Sequence, residues 1–173
     1  MARTLTLFNR SALSRGALVY SSDYKNRSEA LASSTPLYEI DCKLKYIELR
    51  RTTATGSESL LKGKYGGLLH RSVELEGFGS MTTAKRTGIV KQGWSFVDFT
   101  SNEFTWHVSC WSATWTLLDI NGAVVAKLNR ASFSPTKIGT LEIMEDMPES
   151  MRALVLVTCK LVHNVIQSNE RSG

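Results

Sequence analysis

Three histidines, three cysteines and a few acidic clusters are the side chains in this sequence able to ligate a metal or attack a carbonyl. His70, His107 and His163 fall in three separate segments, and no H-x3-H or C-x2-C spacing gathers ligands for zinc. Each histidine reads as a surface or hydrogen-bonded side chain. Cys110 and His107 are the one Cys/His pair close in sequence. Their odd separation on an extended strand sends them to opposite faces, which argues against a nucleophile and its base. Glu142, Glu145 and Asp146 lack the alternating acidic ladder of a calcium loop, and Asp119-Ile-Asn-Gly122 is better explained as a turn. There is no G-x-S-x-G elbow. Gly77-Phe-Gly79 lacks the third glycine of a dinucleotide loop, and Gly63-Lys64 is followed by Tyr65 where a phosphate loop needs Ser or Thr. The expectation is a protein that is not an enzyme and uses no cofactor or metal.

Charge is the second source of chemistry. The net charge is +5, concentrated between Lys43 and Lys91, where ten Lys/Arg face four Glu. A basic middle meets phosphate, on lipid or nucleic acid, or simply solvates strand faces and turns. The densest spots are Arg50-Arg51, Lys62-Gly-Lys64 and Lys85-Arg86. These six residues are the candidate anion or lipid contacts. No tight basic run exists, which argues against nucleic acid as the partner. Trp94, Trp106, Trp111 and Trp115 read as core. Trp111 fits the inward pattern least and is the candidate exposed aromatic.

The elements that must position these residues are mostly strands. Leu5 and Leu7 alternate with Thr4 and Thr6, Ala17 to Tyr20 is a short apolar run, and Val73 to Gly77 has one wet face. Leu37 to Leu49 is β-like with a change of parity that predicts a bulge or a bend near Tyr46. Residues 23–35 read as a loop with a helical turn. Phe104, Trp106, Val108 and Cys110 share one face of a strand. Asn121-Gly122 predicts a type I′ hairpin between Trp115 and Leu128. A further strand covers about Ile138 to Met144. Asp146-Met-Pro-Glu149 predicts a helix start with Asp146 as its cap. The segment behind it is apolar nearly all round, so Leu154, Val155, Leu156, Val157, Leu161 and Val162 form a buried helix enclosed by protein. Its apolar run from Ala153 to Cys159 holds seven residues without a charge, too short to span a bilayer. Its β-branched content leaves a buried strand as the alternative. Many strands and one wholly apolar helix imply a closed antiparallel barrel of about twelve strands around that helix. One domain covers residues 1–167, and 168–173 form a polar frayed tail.

The C-terminal half resembles the fungal tubby C-terminal-like domains of uncharacterised function. The likeness rests on Phe99-Thr-Ser-Asn-Glu-Phe-Thr-Trp106, the Trp115 to Ala126 hairpin, Gly139-Thr-Leu-Glu-Ile143 and the apolar helix from Glu149. It covers about 75 residues; Pro36-Leu-Tyr-Glu-Ile40 and Tyr46-Ile-Glu-Leu-Arg50 fit in outline. The resemblance implies a twelve-stranded barrel threaded by the helix. Broader relatives in fold are tubby proteins, which bind phosphoinositides, plant tubby-like proteins and phospholipid scramblases. The tubby lipid-binding residues have no counterparts by position here, so that link is one of fold.

The expected function is a non-enzymatic binding module, recognising anionic membrane phospholipid or phosphoinositide through a basic rim. A protein-interaction or structural domain without a small ligand is the alternative. A lipocalin-like carrier requires the helix to lie outside the barrel, and an enzyme requires a pocket with converging ionisable groups. Cys42, Cys110 and Cys159 are distant and odd in number, which fits reduced, buried thiols. With no apolar signal core at the N-terminus, the expected location is intracellular: cytoplasmic, or peripheral to a membrane.

Overall fold

Period-2 alternation of apolar and polar residues organises most of the chain. The computed structural model describes residues 1–11, 15–67, 70–88, 93–109, 111–132 and 134–172, with side chains to residue 169. The strands are β1 (Ala2–Asn9), β2 (Ala17–Tyr20), β3 (Tyr38–Cys42), β4 (Tyr46–Thr53), β5 (Gly56–Gly66) and β6 (Ser72–Gly77). They continue as β7 (Ser80–Arg86), β8 (Trp94–Val97), β9 (Glu103–His107), β10 (Thr114–Asp119), β11 (Val124–Arg130) and β12 (Lys137–Met144). Helix α1 (Arg27–Ser33) lies between β2 and β3, and α2 (Glu149–Ser172) ends the chain. Each strand pairs antiparallel with its neighbours in sequence, and β12 closes on β1 with Leu5 opposite Leu141. The result is a closed twelve-stranded barrel, which leaves no sheet edge for another chain to extend.

Helix α2 threads this barrel. Ten consecutive residues, Ala153 to Val162, are each at most 2% exposed. A helix buried on every side must be surrounded. Its hydrogen bonds reach opposite sides of the ring: Trp106 of β9 donates its indole N–H to Thr158 Oγ1 at 2.9 Å, and Arg152 donates to the Tyr38 hydroxyl of β3 at 3.3 Å. The segment is therefore not a strand, and it occupies the lumen that a carrier would need. Inward-facing Leu49, Leu75, Phe96, Leu117 and Leu128 complete one core with it.

Several local expectations change. Of the two expectations for the parity switch near Tyr46, the bend holds: Lys43–Lys45 is a turn between β3 and β4, closed by the Lys43 N–H donating to the Tyr46 carbonyl at 2.8 Å. The β10–β11 turn is not type I′, because Gly122 (φ 83°) is its one residue with positive φ. Asp119 organises that turn, with Oδ1 accepting from the N–H groups of Asn121 (2.9 Å) and Ala123 (2.8 Å). The strand read as Phe104 to Cys110 ends at His107, and Cys110 lies outside the described residues. Helix α2 starts at Glu149, and its first bond runs from the Arg152 N–H to the Pro148 carbonyl at 2.9 Å, so Asp146 is not its cap. Glu149 instead accepts two bonds from Arg51, at 2.9 and 2.8 Å. The helix continues through residues 168–172, where the sequence places a polar tail.

The helical turn within 23–35 is a helix with a proper cap. Asn26 Oδ1 accepts from the Glu29 N–H, and Glu29 accepts from the Lys25 N–H, each at 2.9 Å. Helix α1 covers the outward residues Phe8, Leu18 and Tyr20 with Ala30, a small second core outside the barrel.

Thr158 ties the helix to the barrel while donating its own hydroxyl to the Leu154 carbonyl at 2.7 Å. Replacing it by valine keeps the shape and leaves the Trp106 indole N–H unsatisfied. Thr158→Val is expected to lower stability by about 1–3 kcal/mol, read as a fall in the urea midpoint at unchanged m value.

A candidate anion site at the helix-exit end

An up-and-down barrel sorts its connections by parity. Residues 10–16, 43–45, 67–71, 87–93, 108–113 and 131–136 join strands at one end, where α2 leaves the lumen. Among the described residues these connections carry Arg10, Arg15, Lys43, Lys45 and Arg71, and neither Asp nor Glu. The opposite, helix-entry end carries Asp23, Glu29, Asp98, Glu145 and Asp146 in its connections, with Lys25 and Arg27. The barrel is thus electrically polarised along the helix axis. The helix dipole has the reverse sense, its negative end at the exit, and so partly offsets the basic side chains there.

A cavity of about 290 Å³ opens at the exit end beside the last turns of α2. Arg15, Lys43, His70 and Arg86 line it over a floor of Cys42, Tyr65, Trp94, Leu161 and Val165, with no carboxylate among its described lining. Arg86 points inward because it shares the parity of buried Ala84 on β7. Its Nε–H and the Trp94 indole N–H are both buried without a partner. Two orphaned donors in a cation-lined cavity are a ready-made receptor for an oxyanion. Tyr65 meets His70 edge-on, with ring centres 5.3 Å apart. Burial pushes the Tyr65 hydroxyl above its ordinary value and does the same to the Cys42 thiol, against the opposing pull of Lys160. Cys42 accepts from Asn164 at 3.6 Å. A thiol held protonated is a wall residue here and not a nucleophile.

The six basic residues singled out in the sequence do not converge on this cavity; Arg86 alone lines it. Arg50 is engaged by Glu48 (2.6 Å) and Asp41 (3.3 Å), and Arg51 by Glu58 (2.6 Å) and Glu149 (2.8 Å). Lys62 and Lys64 stand on the outer wall of β5, Lys62 between Glu48 and Glu76, and Lys64 between Tyr46 and Glu74. Lys85 faces out between Ser72 and Ser95. Trp111 is 94% exposed in the β9–β10 connection at the exit end, and Leu44 is 72% exposed in the β3–β4 turn. Leu154, Val155, Leu156, Val157, Leu161 and Val162 are buried in the lumen. Arg15, Lys43 and His70 escape a search for local charge density because each sits in a different connection. Taking every second connection of an up-and-down barrel would have found Arg15 and Lys43.

The sequence also hides Lys160. It is fully buried, with Nζ 3.2 Å from Asn9 Oδ1 and 3.2 Å from His163 Nδ1. Burial pushes its ammonium down to about 8, against the weaker influence of Cys42 and Cys159. Among the described residues no His, Cys, Asp or Glu form a group of three able to hold a metal, and no helix is long and apolar enough to cross a membrane. Compared with known proteins, the chain matches no family model, no curated protein and no solved structure.

The pKa of Lys160 lies below its ordinary 10.5, so between pH 8 and 10.5 the unfolded chain binds more protons at this site than the folded one. The penalty for the buried charge is therefore complete below pH 8 and disappears as pH rises towards 10.5. Lys160→Met is expected to be more stable than wild type below pH 8, by about 3 kcal/mol. That advantage shrinks to near zero by pH 10.5. Paired urea titrations of the two proteins at each pH measure the difference and cancel the thiol and phenol titrations they share.

Proposed function

We propose that the protein is a non-enzymatic binding module that takes up the anionic, phosphorylated headgroup of a membrane lipid at its helix-exit end. The observation that carries this reading is the absence of Asp and Glu from all the described connections at that end, around a cavity with two orphaned donors. Phosphate oxygens accept from Arg86 and Trp94, while Arg15 and Lys43 supply charge at the mouth. Trp111 and Leu44 extend from the same end, where an amphipathic indole suits the headgroup layer. In this reading the protein works at a cytoplasmic membrane surface, with the barrel axis along the membrane normal. The barrel threaded by a helix is also the architecture that the tubby-like resemblance implies, and phosphoinositide binding in that family's wider relatives points the same way. No step of catalysis is assigned.

A protein-interaction role is the second reading. It draws on the entry end, where Phe78, Met81, Ile120 and Met144 are exposed beside the acidic turns. It predicts a partner at the opposite end from the headgroup.

Co-sedimentation with phosphatidylcholine vesicles, with and without a phosphoinositide, tests the first reading. Binding is expected only with the anionic lipid, and to fall steeply with salt. At about 1 kcal/mol per basic residue, the triple change Arg15→Gln, Lys43→Gln, Arg86→Met should weaken it about a hundredfold. Arg50→Gln with Lys62→Gln should leave it within about twofold, since those charges are already met by carboxylates or face the outer wall. Equal and negligible binding to both vesicle types would remove the proposal.

A further inference from the structure

The two ends of the barrel carry opposite charge, and each exposes apolar side chains among its charges. We infer that a second copy of this chain docks its helix-exit end on the helix-entry end of the first, so that barrels associate head to tail. The inference rests on the protein-interaction reading and names the partner. At the entry end Phe78 is 43% exposed at the tip of the β6–β7 hairpin, with the Phe99 ring centre 6.0 Å from its own, and Ile120 is 77% exposed on the β10–β11 turn. At the exit end Leu44 is 72% exposed between Lys43 and Lys45, and Trp111 is 94% exposed.

Backbone strain singles out Phe78. The β6–β7 loop has two residues, Phe78 and Gly79, between the paired Gly77 and Ser80, and both have positive φ, 53° and 71°. A two-residue turn of this kind favours Asn or Gly at its first position, because a bulky side chain is strained at positive φ. The Phe78 ring joins neither apolar core, so packing of the fold does not account for it. A strained, exposed aromatic at a hairpin tip is suited to anchor a contact with another surface. Met81 on β7 and Val97 on β8 widen the apolar surface around it, and each stands across from a carboxylate, Glu76 and Glu103.

Charge selects the occupant. Every residue of the entry-end connections is described, and there Asp23, Glu29, Asp98, Glu145 and Asp146 outnumber Lys25 and Arg27. In sequence the six exit-end connections hold six Lys or Arg and no Asp or Glu, and the chain beyond residue 169 adds one charge of each sign, Glu170 and Arg171. Arg10 is paired with Glu39 at 2.8 Å, and the positive excess remains. The field between two copies depends on these net charges and not on any one cation being unpaired. Like ends repel, so entry on exit is the pairing that the signs allow, a heterologous contact. The closed barrel offers no sheet edge as a competing route. Twelve strands spaced about 4.8 Å apart make a ring roughly 20–25 Å across, and its end face with side chains offers on the order of 800 Å², what one partner gives to a standard interface. The exit end also faces the membrane in the headgroup reading, so a vesicle and a second copy compete for it.

Sedimentation velocity of the full chain over a concentration series tests this. In about 20 mM salt the weight-average sedimentation coefficient of wild type is expected to rise with concentration, and in about 500 mM salt to fall to the monomer value. Phe78→Asn suits the turn and removes the ring, so its thermal midpoint should match or exceed that of wild type while association weakens about tenfold. Charge reversal gives a reading that does not depend on that variant. Glu103→Lys with Glu145→Lys alters the entry end, and Lys43→Glu with Lys45→Glu alters the exit end. Each double variant alone should associate about tenfold more weakly than wild type, and an equimolar mixture should recover association, because each supplies the end that the other lacks. A wild type that stays monomeric at low salt overturns the inference. So does association untouched by Phe78→Asn, or a mixture no better than its components. Titration with a synthetic amphipathic Leu/Lys peptide separates this from the reading it rests on. Saturable shifts of the Phe78, Val97 and Ile120 amide NMR signals in a monomeric wild type would overturn the second copy as occupant and keep the protein-interaction reading, and no shifts in a monomeric wild type would remove both. The entry-end double variant should still co-sediment with phosphoinositide vesicles, so failure of vesicle binding bears on the headgroup cavity and leaves this result standing.

Discussion

A helix that is apolar on every side has no stable place in water, and this constraint shapes the whole barrel. Ala153 to Val162 can be buried only if strands surround them, and a twelve-strand ring is wide enough to hold a helix together with its side chains. The inward face of the ring must then fit a cylinder. Gly63 shows how tight that fit is: a Cβ there would sit 2.7 Å from side-chain atoms of Ile47 and Leu75. Trp106 and Thr158 supply one polar contact inside a largely apolar interface, and it fixes which face of the helix meets β9.

Threading the helix has an electrical consequence. It enters where acidic turns cluster and leaves where the turns are basic, with its N-terminal Glu149 held by Arg51 at the entry. The entry is closed by side-chain bonds, including Arg152 to the Met147 carbonyl at 2.9 Å. The exit is looser. There the helix turns polar, two cavities lie on either side of it, and Gln167 lines both. A sealed end and an open, charged end on one barrel give the molecule a direction, and the proposed headgroup binding falls at the open end.

Lys160 connects packing to this polarity. It lies on the lumen-filling helix one turn before the exit, so the core ends in a buried cation and not in a simple apolar cap. Its neighbours Cys42 and Asn164 face one cavity, and Asn9 and His163 line the other. A charge placed there is felt on both sides of the helix, because little water intervenes to screen it.

Much of the architecture is legible in the chain itself. Alternation of apolar residues marks most of the strands, and the uniformly apolar stretch after Pro148 announces an enclosed helix, since period and hydrophobicity are local properties. Local pattern left two readings open at Tyr46, where a turn and a bulge both shift parity, and misled at Asn121-Gly122, where Asp119 takes over the turn through its side chain. Phe8, Leu18 and Tyr20 look like ordinary outward strand residues until α1 is found covering them. The site was the least legible part. Arg50 and Arg51 are adjacent in sequence and conspicuous, yet folding sets carboxylates against both. Arg15, Lys43 and Arg86 are scattered over more than seventy residues and meet because alternate connections of an up-and-down barrel share an end. Sequence therefore determined the elements and the closed barrel around a helix. Tertiary structure alone decided which charges are neutralised and which converge, because electrostatic partnership depends on distance in space and on burial, and neither is a local property of the chain.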